Sequence, residues 1–151
     1  MSLGMTASEI VPGVTPSDLA DTSALARVPH HEGVRLQLLE PLMSGAIACC
    51  EITRLEMGLT ARNVGEHAEL GELLDALPRV TITPADYARA WEVQGLLTGH
   101  GVHRGVGVPD LLVAACAERL GLTVVHCDSD FDLISEVTGQ PGRWAVDRDL
   151  L

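Results

Sequence analysis

Several acidic residues stand where a parallel α/β sheet would collect its ligands. Asp21 follows the short apolar pair Leu19-Ala20, and Asp128 follows the apolar run Leu122–His126, with Asp130 two residues on. Glu51 and Glu56 come just after the apolar run Ala46–Cys50, and Asp110 stands at the head of the most apolar helical pattern in the chain. Gathered on one rim, carboxylates repel each other in a poorly solvated cleft. The cluster becomes reasonable if it holds Mg²⁺ or Mn²⁺, hard ions that prefer oxygen ligands and keep some of their waters. An ion held there would activate water and neutralise charge on a phosphate, so phosphodiester hydrolysis is the chemistry such a set suits. Taken singly, each acid has an ordinary alternative. Asp at a helix start caps orphan N–H groups, which would account for Asp110 and Asp128. Asp21-Thr22-Ser23 reads equally well as a turn. The functional reading rests on the set.

The elements that must position these acids follow from the apolar spacing. Leu36, Leu38, Leu39, Leu42 and Met43 recur at helical intervals, so a helix is expected over about 31–44, closed by Gly45. Ala46–Cys50 suits a buried strand, Ile52–Leu59 a helix, and Val64–Leu77 another that Pro78 breaks. Val80-Thr81-Ile82 is β-branched and reads as a strand. Thr83-Pro84 opens a helix reaching about Leu97. Gly99–Gly107 reads as an exposed, mobile loop, followed by a helix over Asp110–Leu120 that Gly121 closes. Leu122–His126 is a second buried strand, Asp128–Asp130 a turn, Phe131–Val137 a short helix and Trp144–Val146 a last strand. Alternating short strands and helices imply a parallel sheet covered on both faces, with ligands beyond the carboxyl ends of its strands.

The 151 residues suit one domain, expected over 18–151. Residues 1–17, rich in Gly, Pro, Ser and Thr, read as a flexible lead-in, and Met1–Gly4 ahead of Met5 has the look of a vector remnant. Apolar residues make up 46% of the chain but aromatics only 3%, so Leu, Val, Ile and Ala must fill the core. No secretory signal and no membrane span are expected, which places the protein in the cytoplasm. Cys49, Cys50, Cys116 and Cys127 lack metal-ligand spacing and read as buried, reduced thiols. The net charge is −11, and all ten basic residues are Arg. That total argues against a free-standing RNA-binding module. It is compatible with a carboxylate-lined ion site and with storage against a basic partner.

The motifs, taken in order, resemble the PIN-domain family and, within it, the VapC-type toxins. Asp21-Thr22-Ser23-Ala24-Leu25 is similar to the family's opening motif, and Thr53–Gly58 to its central helix with a conserved acid. Val108–Ala117 resembles the family's Pro-Asp-Leu-Leu helix, and Thr123–Asp132 its strand followed by Asp-x-Asp-Phe. The resemblance covers about residues 18–140. It implies a three-layer fold with a parallel sheet of about five strands. It also implies an acid tetrad of Asp21, Glu56, Asp110 and Asp128 holding Mg²⁺ or Mn²⁺, with Asp130 as a further ligand and Thr22 or Ser23 in support. Five residues at about 100° each keep Glu51 and Glu56 from facing one ion, and only the family pattern favours Glu56; Glu51 alone reads as a solvated first-turn acid. The implied activity is endoribonuclease cleavage of tRNA or rRNA by metal-activated water. The implied partners are a VapB-like antitoxin and a second copy of the chain.

Two other readings compete. A non-catalytic PIN-like module that binds antitoxin or RNA draws support from the negative charge. A phosphatase-like use of Asp21 as nucleophile is disfavoured because Ser23, not Asp, stands two residues on. Outside the acids, Arg104 in the Gly99–Gly107 loop is a candidate phosphate contact. His100 and His103 beside it fix no ligand geometry, and His30-His31 reads as a surface pair at a helix start. Trp91 and Trp144 read as packing residues, with a surface Trp as a place to receive an antitoxin segment.

Overall fold

The computed structural model describes residues 15–151. The expectations for residues 1–14 therefore lie outside the described residues. Ser17 is already paired: its N–H donates to Ala46 O at 2.9 Å, and its carbonyl accepts from Thr123 N–H at 3.1 Å.

Five strands form one parallel sheet: β1 (Asp18–Ala20), β2 (Ile47–Cys50), β3 (Arg79–Val80), β4 (Thr123–His126) and β5 (Gly142–Trp144). Their order is β3-β2-β1-β4-β5. The helices are α1 (Thr22–Leu25), α2 (Glu32–Ser44), α3 (Glu51–Gly58), α4 (Val64–Asp75), α5 (Pro84–Gly99), α6 (Val108–Leu120) and α7 (Asp130–Thr138). β1 is only three residues long, yet it lies at the centre, with Leu19 opposite Ala48 of β2 and Val124 of β4. Its position, rather than its own composition, secures it.

Strand alternation divides the core between the two faces. Leu19, Ala48, Cys50, Val80 and Val124 pack with Val93 and Leu97 of α5, the apolar run of α6, and Phe131 and Ile134 of α7. Ala20, Ile47, Cys49 and Val125 pack on the other face with Leu25, Val34, Leu38, Met57 and Leu74. Gly45 and Gly121 close α2 and α6 at φ 79° and 67°, a left-handed turn that a Cβ would oppose. Between α5 and α6, Asp86, 1% exposed, accepts from Arg119 Nε at 2.9 Å and from Thr83 N–H at 2.8 Å. This pair fastens α6, the helix that carries Asp110. All four cysteines are buried free thiols, as expected, and burial pushes the Cys49 thiol up to about 12.

Several expectations need correction. The third strand ends at Val80, not Ile82, because the Ile82 N–H donates to Glu51 Oε2 at 3.0 Å. The last strand lies at Gly142–Trp144, ahead of the expected Trp144–Val146. The Gly99–Gly107 segment is not loop throughout, since α5 runs to Gly99 and a 3₁₀ turn spans His103–Gly105. Trp91 is not a packing residue: it is 76% exposed. Trp144 does pack, its ring 5.0 Å from that of His126.

The chain builds β1, β2 and β3 outward in one direction, then returns for β4 and β5 on the other side of β1. The strand order reverses between β1 and β4. In open parallel sheets a ligand crevice forms at that point, beyond the carboxyl ends. Asp21 leaves β1 there and Asp128 leaves β4.

Candidate active site

Asp21 is joined to β4 by its backbone, its N–H donating to Val125 O at 2.9 Å. Ser23 makes a second tie, its Oγ accepting from Cys127 N–H at 2.9 Å. The two segments that carry Asp21 and Asp128 are thus fixed to each other. Asp21 Oδ2 accepts from Ser23 N–H at 3.0 Å and caps α1, as an ordinary capping Asp would. Its Oδ1 is different. The residue is only 3% exposed, and this oxygen is buried with no hydrogen-bond partner. A buried carboxylate oxygen left unpaired is costly, and a cation is the partner that would satisfy it.

Oxygens of Asp110, Asp128 and Asp130 lie within 4.8 Å of one another, a spacing that could hold one ion. Asp128 Oδ1 accepts from Asp130 N–H at 2.9 Å, which orders the turn into α7. Asp110 is the third residue of α6, whose cap is Gly107, so it is a first-turn acid and not the cap. Burial, and then the charges of Asp21, Asp128 and Asp130, push the Asp110 carboxyl up to about 8. The repulsion expected of clustered carboxylates is therefore present, and a divalent ion would relieve it. The donors are all carboxylates and one buried oxygen is unsatisfied, so the residues present fit Mg²⁺ or Mn²⁺.

The structure separates the two glutamates. Glu56 reaches the Asp21 loop, its Oε1 accepting from Thr22 Oγ1–H at 2.8 Å. Glu51 is half-buried rather than solvated and is engaged by the Ile82 N–H on the β3 side. Replacing Thr22 with Val keeps the shape and removes the bond that holds Glu56. We expect Mn²⁺ affinity, measured by calorimetry, to fall by about tenfold, in line with the loss of outer partners of metal ligands. Arg104 is exposed in the 3₁₀ turn between α5 and the start of α6. His126 is a site neighbour that the sequence reading misses. It is 1% exposed, burial holds its pKa below the ordinary value, and its Nδ1 accepts from the Asp128 N–H at 3.2 Å. Its only sequence signal is that it closes an apolar strand two residues before an acid.

Comparison with known proteins agrees with the fold and motifs. The PIN domain family model matches residues 19–137. Ribonuclease VapC21 of Mycobacterium tuberculosis is 45% identical over 135 residues, covering 88% of this chain and 96% of the relative. Ribonuclease VapC51 of the same organism is 44% identical over 129 residues, covering 85% and 92%. Among solved structures, DNA-bound VapBC from Salmonella typhimurium superposes with a TM-score of 0.71 at 16% identity, covering 87% of this chain and 100% of that one. VapBC-5 from Mycobacterium tuberculosis superposes at 0.56 and 20%, covering 85% and 98%. These likenesses at low identity bear on the fold, while the family match and the closer relatives bear on descent. The chain belongs to the PIN domain family, on its VapC ribonuclease branch.

Proposed function

We propose that this protein is a Mg²⁺- or Mn²⁺-dependent endoribonuclease that cleaves structured RNA, tRNA or rRNA, and acts as a toxin restrained by a VapB-like antitoxin. The observation that carries the metal reading is the buried, unpaired Asp21 Oδ1 beside the Asp110, Asp128 and Asp130 carboxyls. Asp21, Glu56, Asp110 and Asp128 would hold the ion, with Asp130 as a further ligand. When bound, the ion supplies activation of water and neutralises charge developing on the phosphate. Thr22 holds Glu56, Ser23 holds the Asp21 and Asp128 segments together, and Arg104 offers a guanidinium to a phosphate. A chain of net charge −11 repels RNA, and an ion at the acid cluster reverses that sign where the scissile bond must lie.

The antitoxin fits an apolar groove lined by Leu25, Val28, Leu42, Met57, Leu70 and Leu77, with Met43 and Leu73 exposed at 80% and 70%. The exposed Tyr87, Trp91 and Val108 form a separate apolar face suited to a second copy of the chain. No helix among the described residues is long and apolar enough to cross a membrane.

The direct test incubates the protein, made without antitoxin, with total tRNA and rRNA in Mg²⁺, Mn²⁺ or EDTA. Discrete cuts that vanish in EDTA are expected. Intact RNA in every lane, from a folded protein that binds Mn²⁺, would favour the non-catalytic binding module.

A further inference from the structure

We infer that His126 is a positioning residue for Asp128: its Nδ1 accepts the Asp128 backbone N–H and so sets the direction in which that carboxylate enters the acid cluster. The inference rests on the metal-site reading proposed above. His126 is the last residue of β4, and its backbone carbonyl accepts from Ala145 N–H at 2.8 Å. The ring is enclosed. Phe131 stacks on it at 5.0 Å and 30°, and Trp144 meets it at 5.0 Å and 63°. Trp144 is itself held by its Nε1–H, which donates to Asp132 Oδ1 at 3.1 Å. A Cβ at Gly142 would lie 3.4 Å from His126 Nε2, so the ring rests close against bare backbone.

From this fixed ring two bonds of the same form run forward along the chain. His126 Nδ1 accepts from the N–H two residues on, and Asp128 Oδ1 accepts from the N–H two residues on again. Each is a side chain holding the backbone of a turn, in the manner of an Asx-turn. The first bond fixes the Asp128 backbone, and the second fixes the rotation of its carboxylate. Apolar packing against Phe131 and Trp144 needs only an aromatic ring. A buried imidazole in that place is warranted when one of its nitrogens is used. The bond requires a bare Nδ1, so the neutral ring must carry its proton on Nε2.

The test has a metal-free arm and a metal arm. Long-range ¹H–¹⁵N spectra of the wild-type protein in EDTA should show an unprotonated Nδ1 and a protonated Nε2; a proton on Nδ1 overturns the inference without any variant. His126→Asn then places an acceptor oxygen near the Nδ1 position, and His126→Phe keeps the ring packing without the acceptor. We expect His126→Asn to keep the Asp128 amide protected from hydrogen exchange and to bind Mn²⁺ nearly as wild type does. His126→Phe should lose that protection and bind Mn²⁺ on the order of tenfold more weakly. A role in packing alone predicts the reverse order, and His126→Phe equal to wild type in both readouts would overturn the inference. If the wild type fails to bind Mn²⁺, the metal reading falls, while the amide protection still decides what His126 does.

Discussion

Asp21→Asn is expected to abolish RNA cleavage while raising the melting temperature of the metal-free protein. The two effects have opposite signs because one side chain does two things. Its Oδ2 caps α1 through the Ser23 N–H, and an Asn oxygen serves a cap about as well as Asp does. The fold near α1 should therefore survive. Its Oδ1 is buried and unpaired, and its charge adds to the burden on Asp110. The amide removes that charge, so a rise of about 2–5 °C is expected in EDTA, which corresponds to roughly 1 kcal/mol in a chain of this length. The same change removes an anionic ligand. Charge stabilisation by a metal ion is worth several kcal/mol, and each 1.36 kcal/mol is about tenfold in rate, so cleavage should fall on the order of a thousandfold. Paired measurements on one preparation, an RNA gel with Mn²⁺ and a thermal melt in EDTA, check both. Cleavage equal to wild type would leave Asp21 as a capping residue and nothing more.

What the sequence disclosed of this site follows from how each residue is held. Asp110 and Asp128 were legible because each adjoins a strongly apolar run, and such runs become strands or a buried helix whatever else the chain does. Asp21 follows only the short pair Leu19-Ala20 and was legible through its motif. Glu51 and Glu56 were separable by helical periodicity, but periodicity does not say which of them meets Asp21. That depends on Thr22, 34 residues from Glu56 in the chain, and on how α3 lies against α1. The early end of β3 was illegible for a related reason. Val80-Thr81-Ile82 has strand composition throughout, yet the Ile82 N–H goes to the Glu51 side chain, a partner that no local pattern announces. Trp91 misled because large aromatic residues usually pack, whereas here α5 turns it outward on a face that the single chain does not cover. His126 showed only as the end of an apolar strand ahead of an acid, because its hydrogen bond joins a ring to a backbone N–H two residues away, which has no periodic signature. The fold was written in periodicity and the acids in motif. The ties that orient the acids are pairwise and local, so they appear only with coordinates.

Mn²⁺ affinity is expected to rise about tenfold per pH unit up to about pH 8 and then to level, because binding must expel the proton that Asp110 retains. Burial and the three neighbouring carboxylates push the Asp110 carboxyl up to about 8, whereas the unfolded chain releases that proton near an ordinary Asp pKa of about 4. Between those values the folded, metal-free protein holds a proton that the unfolded chain has lost. Its stability from this group is therefore full at low pH, falls as pH rises through the window, and levels above about 8. A saturating ion cancels that slope, since it holds Asp110 as the carboxylate, the form the unfolded chain already has there. His126 acts in the opposite sense, but elsewhere. Burial depresses its pKa, so its contribution to stability is lost as pH falls below the ordinary histidine value of about 6.5 and is constant above it. Measurements between about pH 7 and pH 8.5 thus isolate Asp110. Titration calorimetry with Mn²⁺ across that range should give a Kd that falls and then levels in the wild type. Asp110→Asn, with no proton to give up, should bind weakly and with a Kd independent of pH. A wild-type Kd equally independent of pH would mean that the ion does not displace the Asp110 proton, and Asp110 would lose its place among the ligands.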